Sequence, residues 1–218
     1  KCIMRSLIQW GAYPFTMIAS VLLFFLFIEA DEKLLWATTM PMLFSITLII
    51  FFEKILPFKD QWKPNGKDLK TDALYLITIQ SVLPKILIWF TTLFVFKFIV
   101  SQNLAIQTIW PHYLPIGIQE ILLILISDLL RYWLHRFCHT IPGLWRLHAV
   151  HHSVDKMYWL NTSRFHPVEK ALQFGMDVFP FILLGVSQEV LGLHLVLYGV
   201  NGFFQHCNID LKYGWLNY

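Results

Sequence analysis

The chain reads as an all-α, multi-pass membrane helical bundle. About four spans are expected, plus a re-entrant or short helical hairpin, with a histidine-rich helical region at the cytoplasmic face. Three observations predict this. Apolar residues make up 56% of the 218 and charged residues only 14%, unlike a soluble domain. Uncharged runs near the length that crosses a bilayer recur along the chain. Six of the nine histidines fall between His135 and His166, just past one such run, which places them beside the membrane rather than within it.

The first span is expected over 11–28 and the second over 34–52, joined by an acidic link that holds a single basic residue, Lys33. The link 53–72 carries Lys54, Lys59, Lys63, Lys67 and Lys70, with Lys63-Pro64-Asn65-Gly66 as its turn signal. The third span, 73–96, contains Pro84, which neighbouring helices make tolerable in a membrane. Segment 98–115 is mixed. Its Trp110-Pro111-His112-Tyr113 is expected at the outer interface, with His112 as an interfacial aromatic rather than a ligand. The fourth span, 116–134, is followed by Arg136, Arg146, Lys156, Arg164 and Lys170. Basic residues therefore alternate between links, and the positive-inside rule puts the N-terminus and the histidines on the cytoplasmic side. Pro142-Gly143 breaks the helix. Residues 144–170 are amphipathic, and 171–205 is an apolar hairpin interrupted by Pro180, Gly185 and Ser187, with His194 inside as a core histidine and His206 at its cytoplasmic end.

Several function classes fall away. The basic residues are interleaved with apolar spans, so headgroup attraction explains them and nucleic acid does not. Cys2, Cys138 and Cys207 have no zinc-site spacing, and Cys138 is expected to be a packing residue. The first apolar stretch lacks a cleavage site and reads as a span, not a signal peptide.

The histidines carry the chemistry. Asp128, Arg131, Tyr132, His135 and His139 recur at three- and four-residue steps, so one helix presents them as a polar stripe. The plainer reading is an Asp128–Arg131 pair that only anchors the helix end. His135 and His139 project from one face, as do His148 and His152, with His151 turned about 100° away. Neutral imidazoles at this spacing suit a transition metal. His206 is favoured as a further ligand. His166, before Pro167, is a ligand, a group behind the ligands, or a donor to a backbone carbonyl. Structural zinc usually includes cysteine, the imidazoles exceed one catalytic zinc's needs, and Arg136 replaces the glutamate of the metalloprotease signature. Two irons fit the count better. Ligating rings need acceptors for their other nitrogen, and Asp128, Asp155, Asn161 and Glu169 are the local candidates. Rival readings are a membrane metal transporter or metal-binding protein, which would line a path within the spans, and a haem-binding electron carrier, which would need facing histidines inside two spans.

His135-x-x-x-His139, His148-x-x-His151-His152 and Asn161-Thr-Ser-Arg164-Phe-His166-Pro167-Val-Glu169 resemble the fatty acid hydroxylase/sterol desaturase superfamily. The Asp128-to-His135 lead-in and Gln205-His206-Cys-Asn208 are similar too. The resemblance covers about 116–218, which divides the chain into membrane helices over 1–115 and a hydroxylase-like di-iron region over 116–218. It implies a non-haem centre of two iron ions at the cytoplasmic face. Dioxygen and an external electron donor (cytochrome b5-like, ferredoxin or reductase) would serve hydroxylation or desaturation of a lipid, fatty acyl or sterol-like. His135, His139, His148, His151, His152 and His206 would be iron ligands. Asp128, Asn161, Arg164, His166 and Glu169 would shape or support the site. Members carry a further His-x-x-His-His after the segment matching Trp215-Leu-Asn-Tyr218. The chain is therefore expected to be a fragment, short of about three ligands and inactive alone.

Overall fold

The computed structural model describes residues 2–30, 32–101 and 109–214. The Trp215–Tyr218 end of the family resemblance and part of the 98–115 connection lie outside them. Among the described residues every regular element is a helix, and the isolated bridge between Pro57 and Ile209 is the one strand-like pairing.

Helix α1 (Cys2–Glu29) and helix α2 (Leu34–Ile55) form where the first two spans are expected. Asn65 then starts α3 (Gly66–Tyr75): its Oδ1 accepts from the Lys67 and Asp68 amides, while Asp68 accepts from the Asn65 amide. Three N–H groups are satisfied, those of Asn65 and Asp68 reciprocally, as in a capping box. The helix continues through a π-helical stretch (Leu76–Val82), α4 (Leu83–Phe90), a second π stretch (Thr91–Phe96) and α5 (Lys97–Ser101). Pro84 stands in the first turn of α4, directly after the first widened stretch. A proline without an N–H inside a helix calls for such local widening.

Among the described residues, three helical stretches are long and apolar enough to cross a membrane: Ile3–Glu29, Leu34–Ile55 and Gly66–Val95. The protein is a membrane protein. Helix α6 (Ile116–Thr140) is 25 residues long and occupies the fourth predicted position. Beyond it lie α7 (Pro142–His148), α8 (Pro167–Asp177), α9 (Phe179–Leu183) and α10 (Gln188–His206). The predicted breaks fall where expected. Pro180 opens α9, Gly185 takes a positive φ of 74°, and the Ser187 hydroxyl accepts from the Val190 amide as α10 begins.

The chain forms two compact units: 1–69 with 154–162 and 192–218, and 70–153 with 163–191. In the first, Phe24, Ala37, Ile49, Val196, Val200 and Phe204 form the core. Gly192 and Gly199 let α10 approach α2 closely, since a Cβ would meet Leu34 Cδ1 at 2.8 Å and Met42 Cε at 2.6 Å. Small residues do this at membrane helix interfaces. Ile3, Leu7, Ile18, Leu22 and Leu26 stay exposed along α1, an apolar surface for lipid. In the second unit the core is Trp110, Leu123, Phe181, Val186 and Val190. The sequence placed Trp110 at the outer interface. The ring is buried against the protein, its Nε1–H donating to Gln119 Oε1 at 2.7 Å and its edge meeting Phe181.

Candidate metal centre

The last two turns of α6 set His135 and His139 on one face, with their Nε2 atoms 3.1 Å apart. Ile141 is extended, and Pro142 restarts the chain as α7, which carries His148 into its final turn. The backbone keeps turning after His148: the His151 and His152 amides both donate to its carbonyl, at 2.9 and 3.4 Å. His152 thus retains its four-residue relation, and its Nε2 lies 3.1 Å from His148 Nε2. The donor atoms of His135, His139 and His148 all lie within 4.8 Å of one another. Trp145 covers two of the rings, with centroids 5.4 Å from His139 and 5.6 Å from His152. An open recess of about 340 Å³ adjoins His139, lined also by Thr140, Ile141, Pro142 and Trp145.

What stands behind each ring decides which nitrogen faces out. His148, 1% exposed, sets Nδ1 2.7 Å from Glu169 Oε1. Glu169 lies in the first turn of α8 and is itself buried. Gln173, one turn on, donates to the same oxygen at 3.1 Å, while Glu169 Oε2 has no hydrogen-bond partner among the described residues. A carboxylate acceptor holds the proton on Nδ1 and leaves the Nε2 lone pair toward the cluster. His151 follows the same rule with a backbone acceptor: its Nδ1 is 3.1 Å from the Arg164 carbonyl and its ring stacks on Phe165 at 4.4 Å. In the first compact unit, His206 Nδ1 meets Asn161 Oδ1 at 2.9 Å. Asn161 Nδ2 donates to the Lys156 carbonyl, which turns its oxygen toward the ring. His166 does the opposite. Its Nδ1 accepts from the Val168 amide at 3.2 Å and caps α8, so in the neutral ring the proton sits on Nε2.

Electrostatics favour neutral donors. Burial lowers the His135, His148 and His152 pKa values below the ordinary 6.5, and the neighbouring imidazoles lower them further. Burial raises the Glu169 carboxyl, opposed by the Gln173 hydrogen bond and by Arg131. Burial also raises the Cys138 thiol, whose Sγ lies within 4.8 Å of donor atoms of His148 and Glu169.

Residues 120–218 match the fatty acid hydroxylase family. This part of the chain is similar to that family. Over 188 residues the chain is also 28% identical to the ornithine lipid hydroxylase of Rhizobium tropici, an alignment taking in 85% of this chain and 56% of that protein. The chain thus spans little more than half of that relative's length. No solved structure matches it.

Inside the matched region, the His135–His139 pair meets His148 and His152 in one cluster with the His151 ring against theirs, while His206 stands in the other compact unit. Of the four expected acceptors, Glu169 and Asn161 hold imidazoles. Asp128 and Asp155 are exposed, with no hydrogen bond or ion pair found among the described residues. The Asp128–Arg131 pair does not form, because Arg131 Nη1 meets Asp177 Oδ2, a buried acid at the end of α8. Arg164 pairs with Asp72, outside the family match. Asp72 passed unnoticed in the sequence because it closes a polar link. The available signal was an acid opening an apolar helix, where a charge is costly unless it is used.

Proposed function

We propose that the protein is a membrane-bound oxygenase that hydroxylates a lipid, with iron held by the histidine cluster. The observation that carries this reading is the convergence of the His135, His139 and His148 donors within 4.8 Å, with His152 Nε2 against His148 Nε2. The residues fit a transition metal on their own chemistry. The donors are imidazoles, several are biased toward neutrality, and the buried Glu169 sets the tautomer of His148. In this reading His135, His139, His148, His151, His152 and His206 hold two iron ions, and Asn161, Arg164 and Glu169 support them.

Iron bound there supplies the dioxygen chemistry needed to hydroxylate an unactivated C–H bond. One oxygen atom enters that bond and the other leaves as water, with two electrons from an external donor and two protons from solvent. The chain's own residues do the rest. Glu169 keeps the His148 proton on Nδ1, the Arg164 carbonyl does so for His151, and Asn161 does so for His206. The recess beside His139, with Ile141, Pro142 and Trp145 on its walls, gives an alkyl chain an apolar approach. The named lipid of the Rhizobium relative favours an acylated membrane lipid over a sterol. The basic residues after the fourth expected span favour the cytoplasmic face.

The test is to purify the full-length protein, of which these residues are expected to be a part, from membranes with its iron, supply a chemical reductant and isotopically labelled dioxygen, and analyse lipids by mass spectrometry. Label in a hydroxylated lipid, lost when iron is chelated, is the expected result. A protein that purifies without transition metal, or lipids that carry no label, would overturn the reading.

A further inference from the structure

The geometry points to Asp72 as a positioning residue for His151, an inference that rests on the metal-centre reading above. Asp72 is fully buried at 0% exposure in the candidate span Gly66–Val95. Its carboxylate pairs with the guanidinium of Arg164, and its backbone carbonyl accepts from the Ser163 hydroxyl at 3.1 Å. The next links run from those same residues to the histidine. The Arg164 carbonyl lies 3.1 Å from His151 Nδ1, and the Phe165 ring stacks on His151 at an interplanar angle of 9°. Three consecutive residues, Ser163 to Phe165, are therefore tied to Asp72 on one side and to His151 on the other. One turn earlier in α3, Asp68 takes Lys156 at 2.7 Å, so the same helix holds the loop's other arm.

The energetics favour positioning over plain stability. Replacing a buried ion pair by apolar residues is often neutral or stabilising, so its presence is weak evidence that it holds the fold. A charge buried in the protein, as Asp72 is at the polar end of its helix, is costly unless it is paired and used. Here it fixes where the Arg164 carbonyl stands, and that carbonyl decides that His151 offers Nε2. Asp72 reaches the metal only through Arg164 and His151.

Cobalt(II) is the probe, titrated into the metal-free protein in detergent and read by its visible absorption. Asp72→Asn keeps the side chain's size and the backbone acceptor for Ser163, but removes the negative charge that Asp72 sets against Arg164. It should weaken cobalt binding about tenfold or more, as loss of a group behind a ligand typically does. His151→Ala should weaken it too. The double variant should bind no worse than His151→Ala, within about twofold, because both changes act on one ligand. A merely structural role would multiply the two losses. Multiplied losses, or parent-like binding by Asp72→Asn, would overturn the inference. Should Asp72→Asn fail to give a monodisperse protein, Arg164→Lys replaces it in the same cycle with the same expectations. A parent that binds no cobalt, or a His151→Ala that binds like the parent, would instead overturn the metal-centre reading and this inference with it.

Discussion

His148 and His206 lie in different compact units, and each is oriented from behind through its Nδ1, but by unlike groups. His148 is held by a buried carboxylate, Glu169, while His206 is held by a neutral amide, Asn161, itself aimed by the Lys156 carbonyl. Either acceptor fixes the tautomer. Only the carboxylate adds charge, which raises the basicity of the outward nitrogen. In the proposed centre His148 is therefore the stronger donor.

The most severe way to break that contrast is to remove the ring. His148→Ala deletes the imidazole common to both close groupings of donors and leaves Gln173 as the one hydrogen-bond partner of Glu169 among the described residues. Metal per polypeptide, measured by elemental analysis, should fall to near background. Full metal content in this variant would sink the cluster as the site.

Next come the acceptors. Glu169→Ala should weaken metal binding about 10- to 100-fold, and Asn161→Ala about tenfold at most, since it removes orientation without charge. Glu169→Gln should fall between them. Titration of the metal-free variants settles the order, and equal losses for Glu169→Ala and Asn161→Ala would erase the proposed difference.

Acid sharpens the comparison. The pKa values of His135, His148 and His152 are held below 6.5, first by burial and then by neighbouring positive charge, His139 in each case. Metal should therefore be retained as pH falls through 6.5 and be released only below it. The sign for the metal-free protein runs the same way. Between 6.5 and the depressed native values the unfolded chain binds more protons than the native one, so stability falls as pH drops through that window and levels off beneath it. Thermal midpoints of the metal-free protein from pH 8 to pH 5 would show this. A midpoint that rises on acidification would contradict the depressed values.

The smallest effect belongs to His166, whose Nδ1 is spent on the Val168 amide. His166→Ala should leave metal content unchanged and cost about 1 kcal/mol of stability, as loss of an N-cap does. A drop in bound metal would return His166 to the ligand set.

Much of the molecule was legible from local pattern. The apolar runs became helices, the Pro142-Gly143 break became the α6–α7 corner, and Gly185 and Ser187 separated α9 from α10. The His135–His139 and His148–His152 pairs were readable because a helix or continued turn places residues four apart on one side. Partners distant in sequence were not readable. Arg131 passed over Asp128 for Asp177, 46 residues on, and Trp110 went inward to Gln119 and Phe181. Local spacing lists the acids a base could meet, but packing chooses among them.

Which residue types gather, and at what interval, followed from composition and helical period alone. Those arise from backbone geometry and from the cost of placing charge in hydrocarbon. Which nitrogen of each imidazole is presented was settled only by the fold. It depends on whether an acceptor, as behind His148, His151 and His206, or a donor, as beside His166, lies at Nδ1. Those partners come from other helices and loops, brought within hydrogen-bond reach by packing.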